Sequence, residues 1–238
     1  MKGILSIVKV FLLFMLVTGC AVFRYQVPED VLRESPVPPL TETRRSEILD
    51  MYAVLDWKNP PNQDVFIRAV HGYDYIPKKK EILTLIDFSQ PSTEKRAYVI
   101  DMEKQEILFN TWVSHGVNSG ENIAEHFSNA EGSRKSSLGF YLTGKSYCGE
   151  NGLSLRLDGL EKGFNDSARV RYIVIHGADY VSQEFIEQEG RLGRSWGCPA
   201  FPLSVTKPII RKIKRGSVVF IYGNDTTYLR NSRYSYQQ

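Results

Sequence analysis

Cysteine and histidine are scarce in this chain, with three cysteines and four histidines among 238 residues. No other cysteine or histidine lies near Cys198 at the short spacing that zinc sites use, so we expect neither a metal site nor a cofactor. An excess of charge is missing too. Lys2 and Lys9 lie in the N-terminal leader, and the remainder of the 30 basic residues nearly balances the 27 acidic ones. This balance gives no indication of nucleic-acid binding.

Long apolar runs are also missing. The apolar run from Val10 to Val17 is shorter than the ~20 residues that a membrane-spanning helix needs. Residues 1–19 instead combine a basic start, this apolar run and small residues directly before Cys20, which is the layout of a secretory signal peptide. The segment resembles the lipobox of bacterial lipoproteins, in which the cysteine is lipidated. An ordinary signal peptide and a short membrane anchor are the alternatives.

The leader therefore predicts an exported protein held in the cell envelope by acylated Cys20. Ala21 follows the cysteine, and the sequence resembles lipoproteins that are sent to the outer membrane, facing the periplasm, in a host with two membranes. Residues 20–42 carry four prolines and predict a stiff spacer. Apolar residues at helical spacing around Ile48 and Phe66 then predict a small helical region over 43–76.

From residue 81 the apolar pattern changes to strand-like runs, the first three covering 81–88, 96–102 and 106–114. Many short strands separated by glycine, without a regular alternation of strand and helix, indicate a mostly β fold of the sandwich or barrel-like type. We expect one domain over 81–223 and a C-terminal tail over 224–238. The later runs are LGFYLTG, LSLRLDG and RYIVIHG, followed by a short helix and a last strand in VTKPIIRKIKRGSVVFIYG.

The residues with the clearest chemistry lie in RYIVIHGADY and in the loop that contains GRSWGCPAF. If a strand begins at Arg171, alternation places Tyr172 and His176 on one face and Arg171 on the other. His176 then lies at the strand end, which is a rigid place from which to direct an imidazole. Cys198 follows 22 positions later, after a glycine-rich loop.

A thiol attacks as its thiolate, and its ordinary pKa of about 8.5 means that it needs a nearby base or cation. His176 can accept the proton or hold it as an imidazolium beside the thiolate. Gly197 has no Cβ and leaves its own N–H and that of Cys198 free to point at a developing oxyanion. Together these residues predict that Cys198 is a nucleophile.

Two other assignments of Cys198 stay open. In an oxidising compartment it can form a disulfide with Cys148, or it can be a buried thiol without chemistry. The base has a rival as well. His115 also precedes a glycine at a predicted strand end, so it either faces the same cleft as His176 or caps a strand.

The run IHGADY followed by SWGCPA resembles the His-Gly and Ser-x-Gly-Cys signature of the L,D-transpeptidase catalytic domain, the YkuD-like enzymes that cross-link cell walls. SSLGFYLTG at 136–144 and WVSHG at 112–116 are similar to earlier parts of that domain. The resemblance covers residues 81–223 and is nearest to the murein L,D-transpeptidase subgroup.

The resemblance implies an L,D-transpeptidase-type β-sandwich in which Cys198 attacks the carbonyl of the L-centre at position three of a peptidoglycan stem. D-Alanine is released, and an amine on a second stem resolves the thioester as a 3-3 cross-link. The motif match makes His176 the general base, gives the oxyanion hole to Gly197 and Cys198, and makes Ser195 a residue that fixes the loop. No metal is required.

The sequence departs from the family at Ala200, where many members carry arginine or asparagine. We therefore expect Arg194 or Arg191 to supply the positive charge for a stem carboxylate. Tyr180 and Trp196 are candidates to line the stem-peptide groove, with ordinary packing as the alternative.

The function predicted from the sequence is a lipid-anchored, cysteine-dependent peptidoglycan L,D-transpeptidase. Its partners would be stem peptides and, through acylated Cys20, a lipid membrane, with no nucleic acid. One alternative is an L,D-carboxypeptidase that uses water as acceptor. The other is a non-catalytic wall-binding lipoprotein with a disulfide between Cys148 and Cys198.

Overall fold

The structure is a computed structural model that describes residues 37–234 and residue 236. The predicted signal peptide over 1–19, Cys20 and most of the spacer predicted over 20–42 lie outside the described residues. Within the described part of the chain, no helix combines the length and apolar character needed to cross a membrane.

Eight strands form the sheet found in the described residues. Their side chains are rich in β-branched and aromatic types, which pack well on a pleated, buried surface. In chain order the strands are β1 (Ile82–Asp87), β2 (Ala97–Asp101), β3 (Glu106–Thr111), β4 (Gly139–Gly149), β5 (Gly152–Gly159), β6 (Val174–Ala178), β7 (Ala200–Pro202) and β8 (Val218–Tyr222).

The strand order across the sheet is β3-β2-β1-β8-β4-β5-β6-β7. The β1–β8 and β6–β7 pairs are parallel, and the other neighbours are antiparallel. Past the end of β3, the Ser114 N–H donates to the Ala200 carbonyl at 2.9 Å, and Gly116 bridges to Ser195. These contacts join the two edges, so the sheet is nearly closed into a barrel. The prediction of a mostly β fold is confirmed.

Helices cover parts of this sheet. The second helix packs against β1 and β8, and the fourth packs against β5, β6 and β7. The helices of the described residues are α1 (Glu42–Val54), α2 (Gln63–Asp74), α3 (Gln183–Glu189), α4 (Leu203–Ile213) and α5 (Thr226–Asn231).

The first two helices begin at side-chain caps. The Thr41 hydroxyl accepts from the Arg44 N–H at 3.2 Å, and the Asn62 side-chain oxygen accepts from the Asp64 N–H at 2.8 Å. Ile48 of α1 and Phe66 of α2 are fully buried, so the two helices predicted around these residues are confirmed.

The structure corrects the start of the strand that carries His176. β6 begins at Val174 and not at Arg171, and it continues to Ala178, so His176 lies in its middle and not at its end. Tyr172 has a φ of 56°, in the left-handed region that an extended strand excludes, so the chain turns before β6. Arg171 therefore lies in a turn, and the predicted alternation of faces does not apply to it. The sequence analysis also missed α3, α5 and the short strand β7.

Candidate active site

The loop that carries Cys198 lies between α3 and β7 and is clamped to the segment after β3. The Ser195 N–H donates to the His115 carbonyl at 2.9 Å, and the Val117 N–H donates to the Ser195 carbonyl at 2.7 Å. Ala200 at the start of β7 is paired with His176 of β6. The nucleophile candidate is thus held between the two elements that nearly close the sheet.

Ser195 fixes this loop from within. Its hydroxyl donates to the Cys198 carbonyl at 2.6 Å and accepts from the Gly197 N–H at 3.1 Å. These contacts give Ser195 the loop-fixing position expected from the sequence. They also differ from the expected oxyanion hole, because the Gly197 N–H points at the Ser195 hydroxyl. Among the described residues the Cys198 N–H has no acceptor. Of the two N–H groups predicted to form the oxyanion hole, it is therefore the one that can donate to an oxyanion.

Position 197 accepts only glycine for a steric reason. Its φ is 120°, where other residues are strained, and an added Cβ would lie 2.8 Å from the Lys135 carbonyl oxygen. The Gly197 carbonyl accepts from the Ser136 hydroxyl at 3.4 Å, and the same hydroxyl accepts from the Gly116 N–H at 3.0 Å. Ser136 therefore connects the loop of Cys198 to the segment that follows His115.

The Cys198 thiol is half-buried and lies against the chain that leads into β6. The Val174 N–H donates to Sγ at 3.4 Å, and the thiol points at the Tyr172 carbonyl oxygen at 3.6 Å. Burial raises the pKa of the Cys198 thiol, while the Val174 N–H and the charge of Arg171 oppose this effect. The resting thiol is therefore protonated at neutral pH and requires a base.

His176 is buried on β6, two residues beyond the Val174 amide that contacts Sγ, which corresponds to about 7 Å along a strand. Its Nδ1 lies 3.1 Å from the Gly177 carbonyl oxygen. With Nδ1 as the donor, Nε2 carries a lone pair. Burial lowers the pKa of His176, so the ring is neutral near pH 7 and able to accept a proton. Within the described residues no hydrogen bond yet joins the ring to Cys198.

His115 is held differently. Its Nδ1 lies 2.7 Å from Arg96 Nη2, and its Nε2 lies 3.2 Å from the Gly120 carbonyl oxygen. Arg96 can only donate, so Nδ1 accepts and Nε2 donates. Burial and the neighbouring Arg96 lower the pKa of His115 to about 3. Both ring nitrogens are occupied, and the expectation that His115 rivals His176 as the base is corrected.

Arg191 and Arg194, which the sequence analysis assigned to a substrate carboxylate, are paired with a carboxylate of the protein itself. Arg194 Nη1 donates to Glu121 Oε1 at 2.7 Å and to the Gly120 carbonyl at 3.0 Å. Arg191 Nε donates to Glu121 Oε2 at 2.9 Å. Glu121 therefore offsets the charge that the sequence analysis assigned to substrate binding.

The two predicted groove aromatics differ in exposure. Tyr180 is half-buried, and its carbonyl accepts from the Gly193 N–H at 2.9 Å. Burial raises the pKa of Tyr180 to about 12, and the nearby Cys198 adds to this rise. Trp196 is 73% exposed, with the Arg134 guanidinium 4.6 Å from the ring centroid. Both aromatics border the nucleophile.

Two further points of the sequence analysis are the alternative of a disulfide between Cys148 and Cys198 and the question of metal binding. Cys148 and Cys198 are both free thiols, with Cys148 exposed near the end of the β4–β5 hairpin. Among the described residues no three histidine, cysteine, aspartate or glutamate side chains form a group that could hold a metal ion.

Sequence reasoning missed Arg171 and Tyr172 as neighbours of the thiol. The Tyr172 carbonyl accepts from the thiol, and the charge of Arg171 acts on it. A left-handed residue that is not glycine has no reliable sequence signal, so the sequence pattern predicts a strand where the chain turns before β6. The missed helix α3 did carry a signal, because Ser182 caps its start and Gly190, with a φ of 72°, ends it.

Comparisons with known proteins identify the family to which this chain belongs. The family model YkuD_2, described as the L,D-transpeptidase catalytic domain, matches residues 58–222. No curated protein sequence matches this chain.

Several solved structures are similar to it. An L,D-transpeptidase from Mycobacterium smegmatis is 13% identical with a TM-score of 0.37, and the alignment covers 60% of this chain and 59% of that chain. An L,D-transpeptidase from Stackebrandtia nassauensis is 14% identical with a TM-score of 0.37, covering 77% and 78%. The helical cell shape determining protein Pgp2 from Campylobacter jejuni is 17% identical with a TM-score of 0.40, covering 63% and 50%.

Proposed function

This chain belongs to the L,D-transpeptidase catalytic domain family, and we propose that it is a cysteine-dependent acyltransferase that acts on peptidoglycan stem peptides. The donor is a tetrapeptide stem, cleaved after the L-centre at position three with release of D-alanine. The acceptor is an amine of a second stem, which yields a 3-3 cross-link.

One observation carries this proposal. A half-buried thiol, Cys198, lies against the strand that also carries a neutral histidine whose Nδ1 is fixed by the Gly177 carbonyl. A fixed Nδ1 leaves Nε2 as the lone-pair nitrogen, which is the form a general base needs. His115, the other histidine of this region, has no nitrogen free for that role.

The proposed reaction begins when His176 Nε2 takes the proton of the Cys198 thiol. The thiolate attacks the carbonyl carbon, and the oxyanion that forms is met by the Cys198 N–H. The bond to the D-alanine nitrogen then breaks, and that nitrogen takes the proton from His176, which leaves a thioester on Cys198. The acceptor amine attacks the thioester and loses a proton to His176, and the thiol leaves with a proton.

Loss of a single oxyanion donor costs on the order of 3 kcal/mol in acyl-transfer enzymes. The Gly197 N–H is held by Ser195 in the resting protein at 3.1 Å, so catalysis either relies on the Cys198 N–H with a substrate-induced donor or requires the Gly197 N–H to turn. The loop around Ser195 is therefore the part of the site whose geometry matters most for the rate.

The test is incubation of the full chain, purified in detergent, with muropeptides that bear tetrapeptide stems. We expect release of D-alanine and formation of 3-3 dimers, both lost in Cys198→Ala and kept in the matched control Cys148→Ala. Tripeptide products without dimers would instead assign water as the acceptor and make the protein an L,D-carboxypeptidase. Equal product levels for wild type and Cys198→Ala would rule out both reactions.

We also propose, from the leader sequence alone, that the protein is exported and lipid-anchored at Cys20, on the periplasmic side of the outer membrane in a host with two membranes. Metabolic labelling with an alkyne fatty acid tests this. The label should be lost in Cys20→Ala and kept in Cys148→Ala, and a label that survives Cys20→Ala would contradict the proposal. Fractionation of the membranes then tests the outer-membrane location.

A further inference from the structure

Arg171 is a half-buried cation without a carboxylate partner among the described residues. Its Nη1 donates to the Ser128 carbonyl at 2.6 Å, and its Nη2 donates to the Lys135 carbonyl at 2.6 Å and to the Ser133 hydroxyl at 3.2 Å. All three acceptors are neutral. A positive charge that is taken out of water without a counter-charge is costly, so its place in the fold calls for an explanation.

The guanidinium lies directly beside the loop of the proposed nucleophile. A Cβ built on Gly197 would be 3.3 Å from Arg171 Nη2 and 2.8 Å from the Lys135 carbonyl oxygen that Arg171 holds. Arg171 also immediately precedes Tyr172, whose carbonyl accepts from the Cys198 thiol. The left-handed φ of Tyr172 turns the chain so that Arg171 reaches this place instead of continuing β6.

Three titratable side chains around the thiol and Arg171 are neutral at pH 7. His176 on β6 is neutral because burial lowers its pKa, and Tyr180 is neutral because burial raises its pKa to about 12. Tyr141 of β4, which faces Arg171, is fully buried, and burial raises its pKa as well. Arg191 and Arg194 are paired with Glu121. Arg171 is thus a half-buried cation whose charge acts on Cys198 and is offset by no carboxylate among the described residues.

We propose that Arg171 supplies the positive charge that stabilises the thiolate form of Cys198. It is a positioning residue, because it acts on the nucleophile through its charge and through the Lys135 carbonyl, and it does not donate a hydrogen bond to Sγ. The thiol proton still goes to His176. The inference deepens the proposed function and rests on the assignment of Cys198 as the nucleophile.

The test measures the rate of Cys198 alkylation by iodoacetamide from pH 5 to 10.5. It uses the full chain with Cys20 and Cys148 both changed to alanine, so that Cys198 is the only thiol. Three changes are compared in this background. Arg171→Gln removes the charge but keeps a donor, Arg171→Lys keeps the charge, and Arg211→Gln removes a charge from an exposed position on α4.

We expect Arg171→Gln to move the midpoint of the pH profile up by about one unit, so that the rate well below the midpoint falls about three- to tenfold. The alkaline plateau should be kept or rise, because a thiolate of higher pKa is intrinsically more nucleophilic. Arg171→Lys should retain most of the wild-type midpoint, and Arg211→Gln should match wild type throughout.

Three outcomes would overturn the inference. They are a profile of Arg171→Gln that superimposes on wild type, a rate that falls by the same factor at every pH, or an Arg171→Lys profile that shifts as far as that of Arg171→Gln. The first excludes a charge effect, the second indicates only structural damage, and the third shows that the charge itself is not what matters. The muropeptide assay tests the proposed function with Cys198→Ala, and its result does not depend on the alkylation profiles of the Arg171 variants. Failure of the proposed function and failure of this inference are therefore distinguishable.

Discussion

Two histidines in this protein share one local pattern and have opposite surroundings. His115 and His176 each precede a glycine in an extended segment, and both are buried. His115 has both nitrogens in hydrogen bonds, one with a buried arginine, whereas His176 has one nitrogen fixed by a backbone carbonyl. The comparison teaches that the partners of the ring, more than its sequence context, decide whether a histidine can act as a base.

The largest effect should come from His176. We expect His176→Ala to slow acylation of Cys198 by about 10²- to 10⁴-fold, which is the range for loss of a general base, with little change in thermal stability. Single-turnover acylation followed by intact-protein mass spectrometry measures this. If acylation is slowed equally by His115→Gln in a folded protein, the contrast between the two histidines is lost.

The reverse pattern should hold for His115. His115→Ala leaves Arg96 Nη2 with one buried acceptor fewer, and we expect a loss of about 2 kcal/mol in the free energy of unfolding. Urea unfolding of both alanine variants checks this prediction. A His176→Ala variant that is destabilised as much as His115→Ala would mean that His176 is also chiefly structural.

The pH dependence of stability sharpens the comparison further. The pKa of His115 is lowered to about 3 in the folded protein, so the unfolded chain binds the proton more tightly. This stability contribution is complete above pH 6.5 and is lost as the pH falls from there towards 3, at up to about 1.4 kcal/mol per pH unit. When urea unfolding is measured between pH 7 and 4, the free energy of unfolding should change less steeply with pH in His115→Gln than in wild type. An unchanged slope would exclude a neutral His115.

The smallest expected effect concerns the residue that connects the two regions. Ser136→Ala removes an acceptor from the buried Gly116 N–H and a weak donor to the Gly197 carbonyl, and we expect a loss of about 1 kcal/mol in the free energy of unfolding. The rate of acylation should fall as well, because the loop of Cys198 is less constrained. Ser204→Ala, which alters an exposed serine on α4, is the control for urea unfolding. Equal stability of both variants would argue against this connection.

The sequence was sufficient for the parts of the site that local patterns encode. Strand-like runs predicted β1, β2, β3 and β5 close to their observed bounds, and the His-Gly and Gly-Cys runs drew attention to His176 and Cys198, which lie on and beside two paired strands. Both kinds of signal depend on neighbours along the chain.

The parts that could not be predicted depend on contacts between distant segments. His115 is a candidate base in the sequence, but in the folded chain its Nδ1 accepts from Arg96, which lies 19 residues earlier. Arg194 is a candidate for substrate binding in the sequence, and in the folded chain it is paired with Glu121, which lies 73 residues earlier. Arg171 was assigned to a strand because nothing in the sequence marks the left-handed φ of Tyr172. The three cases have the same physical cause, because a polar side chain takes its role from partners that only the folded chain supplies.

The bridges from Ser114 to Ala200 and from Gly116 to Ser195 join the edges of the sheet beside Cys198. They pair segments more than 75 residues apart, so the loop of Cys198 is fixed only when distant parts of the chain have closed on each other. The reactivity of the Cys198 thiol therefore reports on whether this long-range closure of the sheet has formed.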